Sequence, residues 1–380
     1  MNRMITIPTA FSASYAEARK KFLEAAATAS LPIQSFNHPL PGRDGETLAM
    51  DVALDGPADA KQLLIVSSAC HGVEGYCGSG VQVFALHDAE WRAKVKASGV
   101  AVLYVHALNP HGFSFQRRVT QENVDLNRNF QDFSKPLPPN EGYPELHPLL
   151  IPAQWPPNAD NVAKHGEFIA TKGMKALQDI VSRGQHTHAD GLFYGGVAPT
   201  WSNTTVRQLL RQYAARSEHI AWIDLHTGLG PRGLGERIFA CRDDQAAFAR
   251  AKQWWGNAGN PSGATPVTSI YDGSSSSAFL TGLMWQSVYE ECPQAEYTAI
   301  AMEYGTQSLA EVMQALRADH WLHLHPEAPA AQRAQIKQQI MDAFYCDADD
   351  WKGMVISQAR QALFQAVDGL SSQTTRHSDF

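Results

Sequence analysis

The stretch from Lys61 to Ser98, KQLLIVSSACHGVEGYCGSGVQVFALHDAEWRAKVKAS, joins an apolar run, a glycine-rich segment and an amphipathic run. Its periodicity predicts a strand over KQLLIVSSA and a helix over GVQVFALHDAEWRAKVKAS, and the next run, VAVLYVHALNP, predicts a second strand. Strands that alternate with helices in this way are typical of a sheet covered on both sides. We therefore predict an α/β fold with a central mixed, mostly parallel twisted sheet flanked by helices on both faces.

Similar patterns continue on both sides of this stretch. A helix is predicted over residues 14–28, and an alternating pattern around a glycine-containing turn predicts a hairpin or edge strand over residues 38–54. Further strands are predicted for HIAWIDLHT, ERIFAC and TAIAMEYGT, and further helices for residues 244–257 and 308–370.

The chain is predicted to have three parts that pack together. Residues 1–60 form an N-terminal helix and edge hairpin, residues 61–310 form the core, and residues 311–380 form C-terminal helices on the same domain. Residues 134–158, here called the proline-rich segment, are expected to lack a regular helix or strand because proline interrupts both. We expect this segment to cross the surface of one domain and to border a binding cleft.

Composition narrows the classes of partner and location. The net charge of -7 argues against a nucleic-acid or membrane partner, because phosphate-rich surfaces require a basic face. The apolar runs are too short to cross a bilayer and no signal-peptide pattern is present, so we expect a cytoplasmic protein. The five cysteines form no CxxC pair and are expected to be reduced and partly buried.

Two histidines and a carboxylate follow predicted strands. His71 and Glu74 lie just after the first strand, where Gly72 and Gly75 make a helix improbable, and they could supply two zinc ligands. His226 ends another strand and is a candidate third ligand, although a histidine that is merely hydrogen-bonded at a strand end fits the same pattern. A His, Glu and His set leaves the fourth zinc position open, which is typical of a catalytic site with one zinc per chain.

The segment ALNPHGFSFQRRVTQENVDLNRNF carries candidates for substrate binding. Asp125 and Asn127 would face the same side of an extended segment, and Asp125 could orient His71 by accepting a hydrogen bond from its ring. Asn127 and Arg128 could hold a carboxylate. A cluster of arginines favours an anion site over solvated surface charges, and it comprises Arg117, Arg118 and Arg128.

Two further side chains are candidates for roles in a reaction. Glu303 lies near the end of the strand TAIAMEYGT, where a carboxylate beside a zinc-bound water would act as a general base. Tyr271 lies in SIYDGSSSS, a glycine- and serine-rich loop that could close over a bound substrate.

Taken in order, these motifs resemble the zinc carboxypeptidase superfamily, which also includes aspartoacylase and succinylglutamate desuccinylase. The resemblance rests on HGVE, NPHGF, NVDLNRNF, DLHTG and MEYGT, spans roughly residues 61–307, and points to a bacterial branch of that superfamily. It implies a zinc-exopeptidase-like fold in which His71, Glu74 and His226 bind zinc and Glu303 is the base.

The resemblance also implies roles around the substrate. Asn127 and Arg128 would bind its terminal carboxylate, and Tyr271 would cover it. Arg118 would polarise the scissile carbonyl, with Arg117 as the competitor for that role.

These observations favour a zinc-dependent hydrolase that cleaves an amide or peptide bond next to a free carboxylate, as a carboxypeptidase does. A deacylase of small N-acyl amino acids is the close alternative, so the predicted partner is a peptide or an N-acyl amino acid, and an oligomer is possible. An alternative of another class is a non-catalytic module that binds a carboxylate ligand.

A serine hydrolase is disfavoured because no GxSxG motif is present. The histidine-rich segments QHTHAD and DHWLHLHP could form a second metal site, although exposed or capping histidines are favoured.

Overall fold

The computed structural model describes residues 5–256 and 266–375, and its centre is an eight-stranded sheet. The strand order across the sheet is β1-β2-β4-β3-β5-β8-β6-β7. The strands are β1 (Ile33–Pro41), β2 (Thr47–Asp55), β3 (Gln62–Ser68), β4 (Ala101–His106), β5 (His219–Arg232), β6 (Gly235–Phe239), β7 (Val267–Ser269) and β8 (Glu296–Gly305).

The sheet is mixed and mostly parallel, as predicted. β3 runs parallel to β4 and β5, β5 is parallel to β8, and β6 is parallel to β7. The antiparallel pairs are β1 with β2, β2 with β4, and β6 with β8. All six residues of β4 are buried, as expected for a central strand with both faces covered.

Helices cover both faces of this sheet. They are α1 (Ile7–Ala10), α2 (Tyr15–Thr28), α3 (Gly75–His87), α4 (Ala89–Ser98), α5 (Pro110–Ser114), α6 (Tyr143–Leu150), α7 (Ala159–Lys172), α8 (Met174–Ser182), α9 (Trp201–Tyr213), α10 (Gln245–Trp255), α11 (Ser287–Glu291), α12 (Leu309–Leu324), α13 (Ala330–Phe344) and α14 (Asp349–Thr375). Short 3-10 turns lie at Gly72–Glu74, Leu126–Arg128 and Met284–Gln286. One hydrophobic cluster includes Phe22 of α2, Val66 of β3 and Leu363 of α14. The boundaries predicted at residues 60 and 310 stay predictions.

One prediction about helices needs correction. The helix predicted over residues 80–98 is two helices, because Asp88 leaves the helical conformation and its side chain caps α4 by accepting hydrogen bonds from the N–H groups of Glu90 and Trp91. The helices predicted over residues 308–370 are present as α12, α13 and α14.

The glycines after β3 do not prevent helical structure, so the prediction that they make a helix improbable is wrong. The chain forms a 3-10 turn at Gly72–Glu74 and enters α3 at Gly75. Gly72 is required by close packing, because a Cβ atom there would lie 2.0 Å from the carbonyl carbon of Gly112.

The proline-rich segment contains α6, so the prediction that it lacks a regular helix is wrong. Pro144 lies in the first turn of α6, where its missing N–H breaks no bond within the helix. A second hydrophobic cluster joins α6, α7 and α8 to α12, and it includes Leu146, Phe168, Leu177 and Val312. The segment is therefore anchored to α12 by buried side chains.

Two findings concern location and the cysteines. Over residues 5–256 and 266–375, no helix combines the length and apolar character needed to cross a bilayer. The cytoplasmic location stays a prediction. All five cysteines are free, and four of them are buried.

Candidate metal centre and substrate cleft

The predicted ligands meet at the carboxyl edge of the parallel strands. His71 follows β3, and His226 lies on β5 directly opposite Glu303 of β8. The strands β3, β5 and β8 are neighbours and parallel, so the residues at their carboxyl ends gather at one edge of the sheet. This is where open α/β sheets bind ligands.

His71, Glu74 and His226 form a compact set of metal donors. His71 Nδ1 lies 2.9 Å from Glu74 Oε1, and His226 Nδ1 lies 3.0 Å from Glu74 Oε2. One donor atom from each residue falls within 4.8 Å of the others, and all three side chains are buried. Two imidazole nitrogens and a carboxylate fit zinc, which takes nitrogen and oxygen ligands and keeps an open position in catalytic sites.

Two further carboxylates hold the far sides of the imidazole rings. Asp125 Oδ1 lies 3.3 Å from His71 Nε2, and Asp224 Oδ2 lies 2.5 Å from His226 Nε2. When each Nε2–H donates to its carboxylate, each Nδ1 presents a lone pair towards Glu74. The arrangement fixes the tautomer that a metal ligand requires.

Asp224 was missed by the sequence analysis. It lies two residues before His226 on β5, so both side chains are on the same face of the strand, and this spacing is the signal that could have revealed it. Asp224 Oδ1 also accepts a hydrogen bond from Ser67 Oγ at 2.5 Å, and Ser67 Oγ accepts one from Trp222 Nε1 at 2.6 Å. This chain of hydrogen bonds holds the Asp224 carboxylate in place.

The charges around the donors favour a cation. Burial by itself would raise the pKa of Glu74, but the neighbouring His71 and His226 outweigh it and lower that pKa. Burial by itself would lower the pKa of His226, but Asp224 and Glu74 raise it well above its ordinary value. The carboxylates therefore stabilise positive charge at this point.

A second set of possible donors overlaps the first. Cys70, Asp224 and His226 also bring donor atoms within 4.8 Å of one another. Burial raises the pKa of the Cys70 thiol well above its ordinary value, which disfavours the thiolate that would bind a metal. Within the described ranges, the two histidine-rich segments contribute no such set.

The structure separates the two adjacent arginines. Arg118 lines the cleft, where its Nε donates to Asp125 Oδ2 at 2.9 Å and its terminal nitrogen donates to Glu74 Oε1 at 3.2 Å. The guanidinium of Arg117 is buried elsewhere, where its Nε donates to Asp319 Oδ2 of α12 at 3.1 Å. Arg117 is therefore not brought to the cleft.

Asn127 and Arg128 both line the cleft, but Asn127 is not in an extended segment with Asp125 as predicted. Leu126–Arg128 is a 3-10 turn, in which the backbone N–H of Asn127 is capped by Asp125 Oδ1 at 3.0 Å. The Asn127 side-chain oxygen accepts from the N–H of Met284. The Arg128 guanidinium donates to the carbonyl oxygen of Ser182, and burial lowers the pKa of Arg128 to about 10.

Glu303 lines the same cleft and is 8% exposed. Its Oε1 accepts a hydrogen bond from the N–H of Leu229 at 3.0 Å. Burial, with the nearby charge of Glu74, raises the pKa of Glu303 to about 8. A carboxyl group that can hold a proton near neutral pH is suited to proton transfer.

Tyr271 does not reach the cleft, although Ile270 beside it does. The Tyr271 hydroxyl donates to the carbonyl oxygen of Cys241, and the ring contacts Phe279. Burial raises the pKa of Tyr271 to about 12. In this conformation the hydroxyl is hydrogen-bonded to a backbone carbonyl, and the side chain lies outside the lining of the cleft.

Phe193 is a cleft residue that the sequence analysis missed. The guanidinium carbons of Arg118 and Arg128 lie 5.1 and 5.3 Å from the centroid of its ring. Phe193 has a φ of +53°, which is unusual for a bulky residue. No local pattern predicts it, because the loop before α9 is brought to the site only by the fold.

The cleft itself is narrow and mostly apolar. The space that water-sized molecules can occupy in it amounts to roughly 90 Å³. One wall is formed by the sheet, with Ile238 and Ala301 paired across β6 and β8. The opposite wall is formed by α12, including Leu309 and Val312.

Comparison with known proteins identifies the family to which this chain belongs. The sequence profile of a family described as protein of unknown function (DUF2817) matches residues 11–358. The chain belongs to the DUF2817 family. No curated protein gives a significant match to the sequence.

Solved structures similar to this DUF2817 chain include bovine thrombin-activatable fibrinolysis inhibitor in complex with tick carboxypeptidase inhibitor. That structure has a TM-score of 0.54 at 10% identity, over 96% of this chain and 98% of that one. Another structure of thrombin-activatable fibrinolysis inhibitor has a TM-score of 0.54 at 11% identity, over 98% of this chain and 78% of that one. Carboxypeptidase A from Helicoverpa armigera has a TM-score of 0.47 at 10% identity, over 90% of this chain and 76% of that one. The predicted α/β fold is confirmed, and this chain shares it with thrombin-activatable fibrinolysis inhibitor.

Proposed function

We propose that this protein is a zinc-dependent hydrolase that cleaves a peptide bond next to a free carboxylate. The observation that carries the proposal is the convergence of His71, Glu74 and His226, with both outer ring nitrogens facing carboxylates, beside Glu303 in one cleft. A non-catalytic carboxylate-binding module would have no need of a buried carboxyl group with a raised pKa at this position.

The ligands and the base have distinct roles in this proposal. When held by His71, Glu74 and His226, zinc would supply a Lewis acid that polarises a carbonyl group and lowers the pKa of water. Glu303 accepts a proton from the water that attacks the scissile carbonyl carbon, and it passes this proton to the leaving amine nitrogen. Because Oε1 of Glu303 is held by the N–H of Leu229, Oε2 is the atom available for this transfer.

The arginines act on the substrate. Arg118 donates to the carbonyl oxygen as negative charge develops there, and its contacts with Glu74 and Asp125 hold it beside the metal ligands. Arg128 and Asn127 bind the terminal carboxylate, through a charge-assisted hydrogen bond in the case of Arg128. We propose a peptide rather than a small N-acyl amino acid, because the cleft adjoins a second cavity with which it shares lining residues.

Metal content of the purified chain tests the first part of this proposal. We expect about one zinc per chain in the native protein and its loss in His71→Ala, whereas the matched change His87→Ala, outside the site, keeps the metal. If native protein supplied with zinc bound none, the hydrolase proposal would be wrong.

Turnover of Glu303→Gln tests the second part. We expect this variant to retain zinc and to lose a factor of about 10² to 10⁴ in kcat on peptides with a free carboxyl terminus. Activity equal to that of the native chain would show that Glu303 is not the base.

A further inference from the structure

A second cavity, here called the α7–α8 groove, lies beside the cleft. It is formed by the end of the proline-rich segment together with α7, α8 and α12. Its apolar lining includes Pro156, Pro157, Val162, Ile169, Met174 and Leu177. None of these six residues lines the cleft around the metal ligands.

The groove and the cleft adjoin each other along two helices. Gln178 of α8 and Leu309 and Met313 of α12 line both cavities. The same stretch of α12 thus turns one face to the cleft and the adjacent face to the groove.

The groove contains exposed apolar side chains, and their exposure does not contribute to the stability of the fold. Val162 is 59% exposed and Met174 is 48% exposed. Both lie in one concave surface with buried Leu177 between the helices. Apolar side chains grouped in this way mark binding surfaces more often than isolated ones do.

The length of α8 gives the distance between the groove and the end of the cleft where the substrate carboxylate is proposed to bind. Arg128 contacts the carbonyl of Ser182 at the end of α8, Gln178 lies at the junction, and Met174 begins the helix. At 1.5 Å per residue, Gln178 and Met174 lie about 6 and 12 Å from Ser182 along the axis. An extended peptide rises about 3.3 Å per residue, so the groove lies roughly two to four residues from a carboxylate at Arg128.

Polar groups in the groove favour a peptide over a hydrocarbon tail. The side-chain amide of Asn161 is satisfied by Pro148, Leu149 and Arg317. Gln178 donates through its side-chain nitrogen to Ser276, and Gln314 accepts from Arg317 through its side-chain oxygen, so within the described residues the other polar atom of each glutamine has no hydrogen-bond partner. A bound hydrocarbon would leave these two atoms unpaired, whereas a peptide amide could pair with them.

We propose that the α7–α8 groove binds the part of a peptide substrate upstream of the scissile bond and selects apolar side chains there. This proposal rests on the proposed function and assigns a role to the proline-rich segment, which supplies one end of the groove. The substrates are then peptides of at least about four residues rather than dipeptides.

Four probes and two variants test this proposal. The probes are acetyl-Leu-Leu-Gly-Leu, acetyl-Asp-Asp-Gly-Leu, the short acetyl-Gly-Leu, and lauroyl-Gly-Leu, all with a free carboxyl terminus. The test variants are Met174→Lys and Val162→Lys, and the control is Met354→Lys, because Met354 is 44% exposed on a helix away from both cavities. Hydrolysis is measured with the zinc-loaded chain, and binding is measured by calorimetry with Glu303→Gln so that the peptide stays intact.

We expect Met174→Lys and Val162→Lys each to weaken binding and kcat/KM for acetyl-Leu-Leu-Gly-Leu about five- to tenfold, with acetyl-Gly-Leu unaffected. Met354→Lys should change neither. Equal effects on long and short peptides, or no preference for leucine over aspartate, would overturn the proposal. Tighter binding of lauroyl-Gly-Leu than of the leucine peptide would assign the groove to a hydrocarbon chain instead.

The outcomes separate the groove from the proposed function. Groove-dependent binding without hydrolysis would refute the hydrolase and leave a peptide-binding groove. Hydrolysis that is indifferent to both lysine variants would leave the hydrolase and refute the groove. If the chain neither bound nor hydrolysed any of the peptides, both proposals would be wrong.

Discussion

At the scale of single residues, the candidate centre depends on side chains that hold other side chains in place. Asp125 and Asp224 each face the outer nitrogen of a histidine, and Phe193 lies beneath two guanidinium groups. Such residues act by fixing orientation, so their replacement should alter affinity while the fold persists.

Asp224→Asn should weaken zinc binding. An amide that turns its NH₂ towards His226 would favour the wrong ring tautomer, so we expect zinc affinity to fall about 10- to 100-fold. Competition with a chelator of known affinity measures this directly. The control Asp319→Asn removes a buried carboxylate that pairs with Arg117, away from the metal, and should leave zinc affinity unchanged. Equal losses in both variants would contradict a specific role for Asp224.

Phe193→Leu should weaken substrate binding without loss of metal. The ring faces both Arg118 and Arg128, and cation–π contacts contribute about 0.5–2 kcal/mol each according to burial. We expect kcat/KM to fall about five- to 30-fold, mainly through KM, while zinc content stays the same. Phe193→Tyr keeps the ring and should retain most of the activity; a loss as large as in the leucine variant would contradict the stacking role.

At the scale of secondary-structure elements, the turn between β3 and α3 is held by close backbone packing. Gly72→Ala would place a methyl group against the backbone of Gly112 and Phe113, and a backbone cannot move aside like a flexible side chain. We expect a loss of about 1–3 kcal/mol or more in the free energy of unfolding, together with weaker zinc binding because His71 precedes the turn.

The matched control for this change lies in α14. A Cβ atom added at Gly353, which sits inside that helix, would meet no side chain or neighbouring element within 4 Å. Gly353→Ala should therefore leave the stability unchanged or raise it by up to about 1 kcal/mol. Chemical denaturation of both variants measures the difference, and a Gly72→Ala chain as stable as the native one would refute the packing argument.

The sequence predicted the central elements well, but it predicted the proline-rich segment and the helices after it poorly, for physical reasons. Strands such as β3 and β8 are continuous apolar runs because both of their faces are covered, so each strand can be predicted from its local sequence alone. The helices α7, α8 and α9 were not predicted, since they follow a stretch whose prolines mask local periodicity. Within the site, the candidate metal ligands could be predicted because they lie in recognisable motifs. Phe193 could not, because only long-range packing brings it to the cleft.

At the scale of the whole molecule, three histidines are wholly or partly buried away from the candidate metal centre. Burial lowers the pKa of His106 and His111 to about 4 and that of His320 to about 3. Between these values and about 6.5, the unfolded chain binds more protons than the folded chain at each of the three positions. Glu303 opposes this trend, because its raised pKa makes the folded chain bind the extra proton there.

The metal-free protein should therefore lose stability as the pH falls from about 6.5 towards about 4, since three histidines outweigh one carboxyl group. Urea denaturation at pH 6.5 and pH 5 in the presence of a chelator measures the change. A free energy of unfolding that is equal or higher at pH 5 would show that these histidines are not buried in their neutral form.

The pairing of His226 with Glu303 across β5 and β8 has a consequence for how this protein can evolve. The proposed metal ligand and the proposed base lie on strands joined by one ladder of backbone hydrogen bonds, so substitutions elsewhere cannot change their spacing. Inserting or deleting a single residue in β8 before Glu303 would shift the register and turn its side chain to the other face of the sheet. Lineages that keep the proposed activity are thus expected to vary these two strands by substitution, and to confine changes of length to the connections between them.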